Sequence, residues 1–414
     1  MEKRELYSAI WQELARDKNM IFLAGPRQAG KTTFSHIISN SFANVLYFNW
    51  DIPADRLALL ENPTFFTEIP RHDSSAPLII FDEIHKYKDW KNYLKGAYDK
   101  FFQDYVFLVS GSGRLDIYQR GGDSLAGRYF LFHLWPFTIG ELAEKNRTIE
   151  EFLDAPLQMD IDQESKLGDL WQRLKQFSGF PEPYLAGRAT TYRRWSTTYA
   201  SQLIREDIRD LSGIKSIGDL ENLYFLLPGK IGSPISIPTL ARDLKVSYNS
   251  VNNWLKLFER FFLTISITPW TLKISRAIQK ERKVYLWDFP RIKDDGARFE
   301  NMVALELWRA VSNWNDMGYG EFSLHFIKNK EQQEVDFVLT CDNTPFLLVE
   351  AKITDNQPSK ALKKFQHALN VPAVQLIDCS PETSEGDNFR VFSGGSATQS
   401  ILVAPACQWL ALLP

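Results

Sequence analysis

Three short stretches of this chain carry residues whose types and spacing could do chemistry. The first is GPRQAGKTT, where Gly25, Pro26, Arg27, Gln28, Ala29 and Gly30 make a loop bounded by glycines and Lys31, Thr32 and Thr33 follow it. Glycines let backbone N–H groups curl round an anion, and a helix start behind the loop adds positive dipole. Lys31 would then reach the β- and γ-phosphates of a nucleotide, and the Thr32 hydroxyl would ligate Mg²⁺. The second stretch, PLIIFDE, ends an apolar run in two carboxylates. Asp82 suits Mg²⁺ held through water, and Glu83 suits polarising the attacking water. The third is spread over Glu300 or Glu306, then Asp336, then Glu350 and Lys352. Carboxylates gathered with one lysine are the equipment of metal-assisted phosphodiester hydrolysis, with Mg²⁺ or Mn²⁺ as a second divalent ion.

These groups need elements to position them. NMIFLAG is a short apolar run suited to a buried parallel strand, and TTFSHIISNSF after the loop reads as a helix. NVLYFNWD, PLIIFDE, YVFLVSGS and RYFLFHLWPF supply four further strands. Between them KYKDWKNYLKGAYDKFF places Trp90, Leu94, Ala97 and Phe101 on one helical face. Strands alternating with helices predict a parallel sheet covered on both sides. Ser110 or Ser112, at the end of YVFLVSGS, stands where a γ-phosphate would be sensed. Arg128 in LAGRYF, or Arg27 within the loop, is the arginine to contact that phosphate.

In the C-terminal part, VDFVLT and PFLLVEAK flank a CDNT turn. A hairpin turning about Asn343 sets Asp336 opposite Glu350. Side chains alternate along a strand, so Glu350 and Lys352 share a face. Opposed Cβ atoms lie about 5 Å apart, where two like charges repel unless a cation sits between them. A register slip of one residue would break this arrangement. Glu300 and Glu306 point roughly 120° apart on their helix, so one of the two reaches the site, and Glu300 is preferred. Gln366, on the next amphipathic helix, either orients the site or is exposed. Lys360, Lys363 and Lys364 add positive charge beside it.

Residues from Ile139 to about Gly213 have a polar helical pattern, either a lid or a linker bundle. Further on, Pro238–Leu244 and Ser250–Phe261 read as two helices about a turn, followed by a strand and a basic hairpin. That order predicts a winged helix-turn-helix. Asn249, Ser250, Asn252, Asn253 and Lys256 could meet phosphates or base edges. Lys273, Arg276, Lys280, Arg282 and Lys283 make a local basic patch, read as a DNA contact, a subunit contact or a solvated edge.

The bulk composition is that of a globular protein of several domains, and the net charge of −3 excludes a global basic field. Cys341, Cys379 and Cys407 lie far apart, which argues against a zinc site and a disulfide framework and suits a reducing cytoplasm. No run of about 18 apolar residues exists, so no membrane is expected. SPETSEGDN is the one flexible-looking polar loop.

GPRQAGKTT, LIIFDEIHK with DW, SGS and LAGRYFLFHLWPFTIGEL together resemble a large family of prokaryotic AAA+-type ATPases, close to the signal-transduction NTPases. The resemblance covers nearly the whole chain and extends to that family's C-terminal domain of poorly defined function. The C-terminal pattern also resembles the PD-(D/E)XK nuclease signature, although EVD stands where the signature has PD. The resulting expectation is an α/β chain of four parts. Residues 1–140 are a P-loop AAA+-type parallel-sheet core, 141–212 a helical lid, 213–295 a winged helix, and 296–414 a restriction-endonuclease-like α/β domain. The expected partners are ATP and ADP with Mg²⁺, double-stranded DNA and further copies of the chain. Two readings compete: an ATPase that acts on DNA through a cutting tail, and a nucleotide-gated switch whose tail binds without cutting.

Overall fold

The computed structural model describes residues 4–111, 125–144, 147–159, 164–208, 216–271, 281–379, 389–392 and 399–414. The chain divides into two compact units, residues 1–136 with 260–262, and 137–259 with 263–414.

The first unit begins with helix α1 (Glu5–Asp17), which buries Tyr7, Ile10, Trp11 and Leu14 along one stripe. Strand β1 (Met20–Ala24) is buried throughout and leads through the glycine loop into α2 (Lys31–Ser39). Then come β2 (Val45–Asn49), α3 (Pro53–Glu61), β3 (Leu78–Asp82), α4 (Trp90–Phe101), β4 (Val106–Ser110) and β5 (Phe130–His133). The five strands are all parallel, in the order β2-β3-β4-β1-β5. This is the sheet that the apolar runs predict. Helix α4 buries Trp90, Leu94 and Ala97, and Phe101 packs on the same cluster. Phe66, fully buried, meets Phe81, Phe101, Tyr105 and Phe107 edge to face, contacts worth about 0.5–1.5 kcal/mol each beyond the area they bury.

The second unit contains α5 (Ile139–Leu142), α6 (Ile149–Asp154), α7 (Glu164–Phe177), α8 (Pro181–Ala186), α9 (Ala189–Gln202), α10 (Ile217–Leu226), α11 (Ile237–Leu244) and α12 (Tyr248–Arg260). Strands β6 (Thr264–Pro269) and β7 (Lys283–Leu286) follow, then the long α13 (Asp295–Asp316) and strands β8 (Phe322–Lys328), β9 (Glu334–Cys341) and β10 (Thr344–Lys352). The chain ends with α14 (Lys360–Leu369), β11 (Ala373–Ile377), β12 (Arg390–Phe392), β13 (Ile401–Pro405) and α15 (Ala406–Leu410). The eight strands form one mixed sheet, ordered β12-β13-β11-β10-β9-β8-β6-β7.

The hairpin β9–β10 turns through Asp342 and Asn343, both with φ near +50° to +60°. Next to the turn Pro345 faces Thr340. A bulge between Pro345 and Leu347 then shifts the register, so that Leu348 faces Val338 and Val349 faces Phe337. The next step along both strands brings Asp336 and Glu350 together, as expected from a turn about Asn343.

The segment read as a lid or a linker bundle falls within the second unit: Trp171 of α7 donates to Asp378, Lys175 pairs with the same carboxylate, and Trp409 of α15 donates to the Pro156 carbonyl. One expectation is corrected. The cysteines are not all unpaired, because Cys379 and Cys407 form a disulfide, with Cα atoms 6.2 Å apart. Strands β11 and β13 are parallel neighbours with Ile377 opposite Pro405, and each cysteine lies two residues past that pair. Cys341 is free. The SPETSEGDN loop lies outside the described residues. No helix among the described residues is long and apolar enough to cross a membrane.

Candidate functional site

The glycine loop sits at the carboxyl end of β1. Gly25 has φ +135° and Gly30 φ +95°, conformations that side chains resist. Gly30 also caps α2, so that helix presents its first N–H groups to the loop. A Cβ on Gly25 would lie 2.3 Å from the Leu134 carbonyl oxygen. Lys31 is buried and its Nζ donates to the carbonyls of Gly25 (3.0 Å) and Pro26 (2.7 Å). Pro26 and Ala29 are buried, whereas Arg27, Gln28, Thr32 and Thr33 are exposed around them.

Asp82, at the carboxyl end of β3 and only 4 % exposed, accepts from Thr32 Oγ1 at 2.9 Å and from Tyr47 OH at 2.7 Å, both on Oδ2. The two residues expected to manage Mg²⁺ are therefore in contact. Burial, aided by the Asp82 carboxylate, holds the Tyr47 hydroxyl well above its ordinary pKa, so it remains a donor. Glu83 follows in the left-handed region (φ +57°), and its Oε2 lies 3.1 Å from Lys86 Nζ and 3.5 Å from His85 Nε2. Lys86 also grips Asp51. Burial lowers the Lys86 pKa, but these carboxylates outweigh it and raise the value. Ser110 faces Asp82 across the β3–β4 register and is fully buried, and its hydroxyl has no hydrogen-bond partner among the described residues. Ser112 lies outside the described residues.

Arg128 requires a correction. It precedes β5, which runs parallel to β1 with Ile21 opposite Phe130, whereas the glycine loop follows β1. Arg128 is thus at the opposite edge of the sheet, held by two bonds to Asp99 (2.6 and 3.0 Å), and cannot touch a phosphate in its own loop. Arg4 was invisible to motif reading. Its buried guanidinium donates to Ala29 O (2.8 Å) and Trp135 O (2.7 Å), bracing the loop from below. Tyr47 was likewise missed; its signal was a polar aromatic in a strand two positions before Asn49.

In the second unit, Asp336, Glu350, Lys352 and Glu300 gather at one end of the sheet beside a cavity of about 1070 Å³. The cavity is lined by Glu300, Asp336, Lys352, Arg291 and Lys293 among others. Asp336 Oδ2 accepts from the Ala351 N–H at 3.0 Å. Glu350 is 3 % exposed; it meets Lys352 Nζ at 2.8 Å and accepts from Ser359 Oγ at 2.5 Å. Burial lifts the Glu350 carboxyl above its usual range, and Lys352 partly offsets this. Glu300 is the helix acid that reaches the cluster, and burial and then Asp336 push its pKa up to about 7. Glu306 is not part of it. It accepts from the N–H groups of Ile139 (2.6 Å) and Gly140 (3.4 Å), beside buried Arg309. Gln366 is buried rather than exposed, and Lys364 donates to Gln333 at 2.7 Å.

An unforeseen cation enters this cluster. Lys283, 1 % exposed, puts its Nζ 2.9 Å from Glu300, 2.7 Å from Glu334 and 3.4 Å from Asp336. Burial works against its charge, but Glu300, Asp336 and Glu334 hold its pKa above the ordinary value. Glu334 shares a strand face with Asp336, which the EVD spelling makes readable. Among the described residues no group of three or more His, Cys, Asp or Glu has a geometry fit for a metal. The residues at the glycine loop fit a nucleotide with Mg²⁺; those of the acid cluster, as they stand, do not fit a divalent ion.

Helices α11 and α12 flank a three-residue turn in which Lys245 takes φ +56° and Ser247 accepts from the Ser250 N–H (3.0 Å). Asn249, Asn253 and Lys256 are exposed at helical spacing along one face of α12. The basic patch is smaller than the sequence suggests. Lys283 is buried, and Arg282 is spent on Glu259 (3.1 Å) and Asn252 (2.5 Å), which also takes Asn252 off the exposed face. Lys273, Arg276 and Lys280 lie outside the described residues.

With this geometry in place, comparison with known proteins adds the following. Residues 17–143 match a family described as AAA domain, residues 168–289 a domain of unknown function (DUF8612), and residues 295–390 another (DUF4143). A protein of Methanocaldococcus jannaschii is 22 % identical over 397 residues, covering 93 % of this chain and 86 % of its own length. A protein of Mycobacterium tuberculosis is 24 % identical over 288 residues, and the match spans 70 % of this chain and 58 % of that relative. Among solved structures, a Walker-type ATPase of Pyrococcus abyssi is similar at a TM-score of 0.42 and 14 % identity, over 70 % of this chain and 94 % of that one. A signal-transduction ATPase of Pyrococcus horikoshii with a tetratricopeptide sensor is similar at 0.26 and 15 % identity, over 74 % and 47 %. Residues 17–143, which hold the glycine loop and Asp82, thus resemble an AAA domain.

Proposed function

We propose that this chain is a Mg²⁺-dependent ATPase that ties its nucleotide state to contact with double-stranded DNA. The observation that carries the ATPase reading is the 2.9 Å bond between Thr32 and Asp82 beside a lysine held in a glycine loop. Thr32 and Asp82 would hold Mg²⁺, whose chemistry is to neutralise phosphate charge. The N–H groups of the loop and of the first turn of α2 bind the phosphates, and Lys31 exchanges its carbonyl partners for phosphate oxygens. Glu83, set by its left-handed backbone just past Asp82, orients the attacking water. An arginine at the γ-phosphate comes from Arg27 or from a second copy of the chain, consistent with a homo-oligomer. DNA contact is assigned to a winged helix-turn-helix in which α12 presents Asn249, Asn253 and Lys256.

Residues 296–414 are read as a relative of the restriction-endonuclease fold. The engaged oxygens of Glu350 and the lysine among Glu300, Glu334 and Asp336 favour a tail that binds without cutting.

Phosphate release by the wild type and by Lys31→Ala tests the first reading. Equal rates in both would end it. Duplex binding measured with ATP and with ADP, and for Asn253→Ala with Lys256→Ala, tests the second. Plasmid, linear and single-stranded DNA incubated with Mg²⁺ or Mn²⁺ should stay intact. Cleavage that Glu350→Ala abolishes would restore the cutting tail.

A further inference from the structure

The acid cluster of the second unit has the topology of a metal site but not its electrostatics. Four carboxylates, Glu300, Glu334, Asp336 and Glu350, stand at one end of the sheet, and Lys283 reaches three of them from β7. An ammonium has three N–H donors, and here three carboxylate oxygens receive it. Most of the other oxygens are also engaged, Glu300 Oε2 excepted, which faces Gly232. Asp336 Oδ2 takes the Ala351 N–H, Glu334 Oε2 lies 3.5 Å from Lys328, and Glu350 is divided between Lys352 and Ser359. Tyr285 OH donates to the Glu300 oxygen that Lys283 also meets, at 2.8 Å. The Phe326 ring lies 5.6 Å from Lys283 Nζ and closes one side of the ammonium against water.

We infer that Lys283 is the resident cation of this cluster, tethering Glu300, Glu334 and Asp336 in the place where a relative of this fold would hold a divalent ion. The inference rests on the nuclease-like reading of the tail. A hard divalent ion needs carboxylate oxygens at about 2.0–2.6 Å, and one oxygen each of Glu300, Glu334 and Asp336 already faces the ammonium. Two cations sharing them would repel each other at close range in a poorly screened interior. Removal of the ammonium would leave three converging carboxylates with only Lys328, 3.5 Å from Glu334, as a direct ion-pair partner, a charge deficit that a divalent ion would meet. A lysine fixed by the chain thus makes the cluster metal-independent.

The test is Mn²⁺ binding by the full chain without nucleotide, in an Asp82→Asn background that silences the loop site, followed by the paramagnetic resonance of free Mn²⁺. The chain with Lys283 should show no site that Asp336→Asn removes. Lys283→Met should gain one Mn²⁺ site, at least about tenfold tighter than any residual binding, and lose it when Asp336→Asn is added. Mn²⁺ should also raise the melting temperature of Lys283→Met and not that of the parent. Should Lys283→Met not fold, the charge-balanced Lys283→Met with Glu334→Gln keeps Glu300, Asp336 and Glu350 and is read in the same way. A Mn²⁺ site sensitive to Asp336→Asn in the parent overturns the inference and leaves the nuclease-like reading standing. A folded Lys283→Met chain that gains no site overturns both.

Discussion

Gly25→Ala isolates the claim that loop geometry, rather than composition, makes the nucleotide site. A Cβ there would lie 2.3 Å from Leu134 O and 3.2 Å from Leu134 C, about 1 Å inside ordinary contact. Leu134 cannot simply retreat, because its N–H donates to Ala24 O at 2.9 Å and so belongs to the sheet's own bonding. Displacing it costs a hydrogen bond worth about 1 kcal/mol. Holding alanine at φ +135° costs about 1–3 kcal/mol more. If the loop instead relaxes, its N–H groups lose the inward curl that binds phosphate. Affinity for a non-hydrolysable ATP analogue should fall by about 30- to 1000-fold, the equivalent of roughly 2–4 kcal/mol. Gly96→Ala is the control, since it lies in α4 with nothing within 4 Å of its Cβ. It should leave affinity unchanged and stabilise the chain by about 1 kcal/mol. Calorimetric titration of both variants decides the matter. Gly25→Ala binding within about twofold of wild type would refute the reasoning, whatever its turnover.

Two further outcomes follow from the second unit. Burial raises the Glu306 pKa from 4.5 to about 7, against the pull of Arg309 and two backbone N–H groups and with Glu141 adding to the rise. The folded chain therefore prefers the protonated acid, and that stability is full below about pH 4.5 and is lost as pH rises through about 7, by up to roughly 3 kcal/mol. Glu306→Gln should flatten the melting temperature between those limits, and an unchanged slope would count against the assignment. Reduction of the Cys379–Cys407 bridge, which closes a loop of 28 residues, should cost about 3–4 kcal/mol on chain-entropy grounds. Thermal unfolding of wild type with and without dithiothreitol, beside Cys379→Ser, checks this. Coincident transitions would mean that the bridge adds nothing.

The parts of the fold set by local patterning were readable. Short apolar runs became β1, β3 and β4 because a parallel strand covered on both faces needs no polar alternation. The β9–β10 register followed from one turn, and the bulge near Pro345 absorbed the odd residue. Helical angle indicated that only one of Glu300 and Glu306 reaches the cluster; it is Glu300, and Glu306 went to a helix start instead. Residues whose partners lie far away in sequence were misread. Lys283 looked like a surface cation because burying it requires acids from α13 and β9 that only the assembled sheet delivers. The cysteines looked isolated because their separation in sequence hides two parallel strands of matching register. Arg128 was misplaced for a different reason. It lies before a strand and the loop lies after one, so the order of elements already assigned them to opposite edges.

The two sites differ in what they leave unmet. At the loop, β4 separates β3 from β1, so Ser110 lies next to Asp82 on one side and opposite Leu23 on the other. Its buried hydroxyl is without a partner among the described residues, a cost of about 1–3 kcal/mol that a bound nucleotide or its water would recover. The acid cluster has less such deficit, since Lys283, Lys328, Lys352, Tyr285, Ser359 and the Ala351 N–H answer all its oxygens but Glu300 Oε2. A ligand stabilises a fold in proportion to what it adds to the native state alone. The loop therefore has something to gain from ATP·Mg²⁺, and on the inference above the cluster has little to gain from a metal. On the proposed reading, a bound nucleotide would answer an unsatisfied strand end, whereas the inferred role of Lys283 is to stand where a metal would.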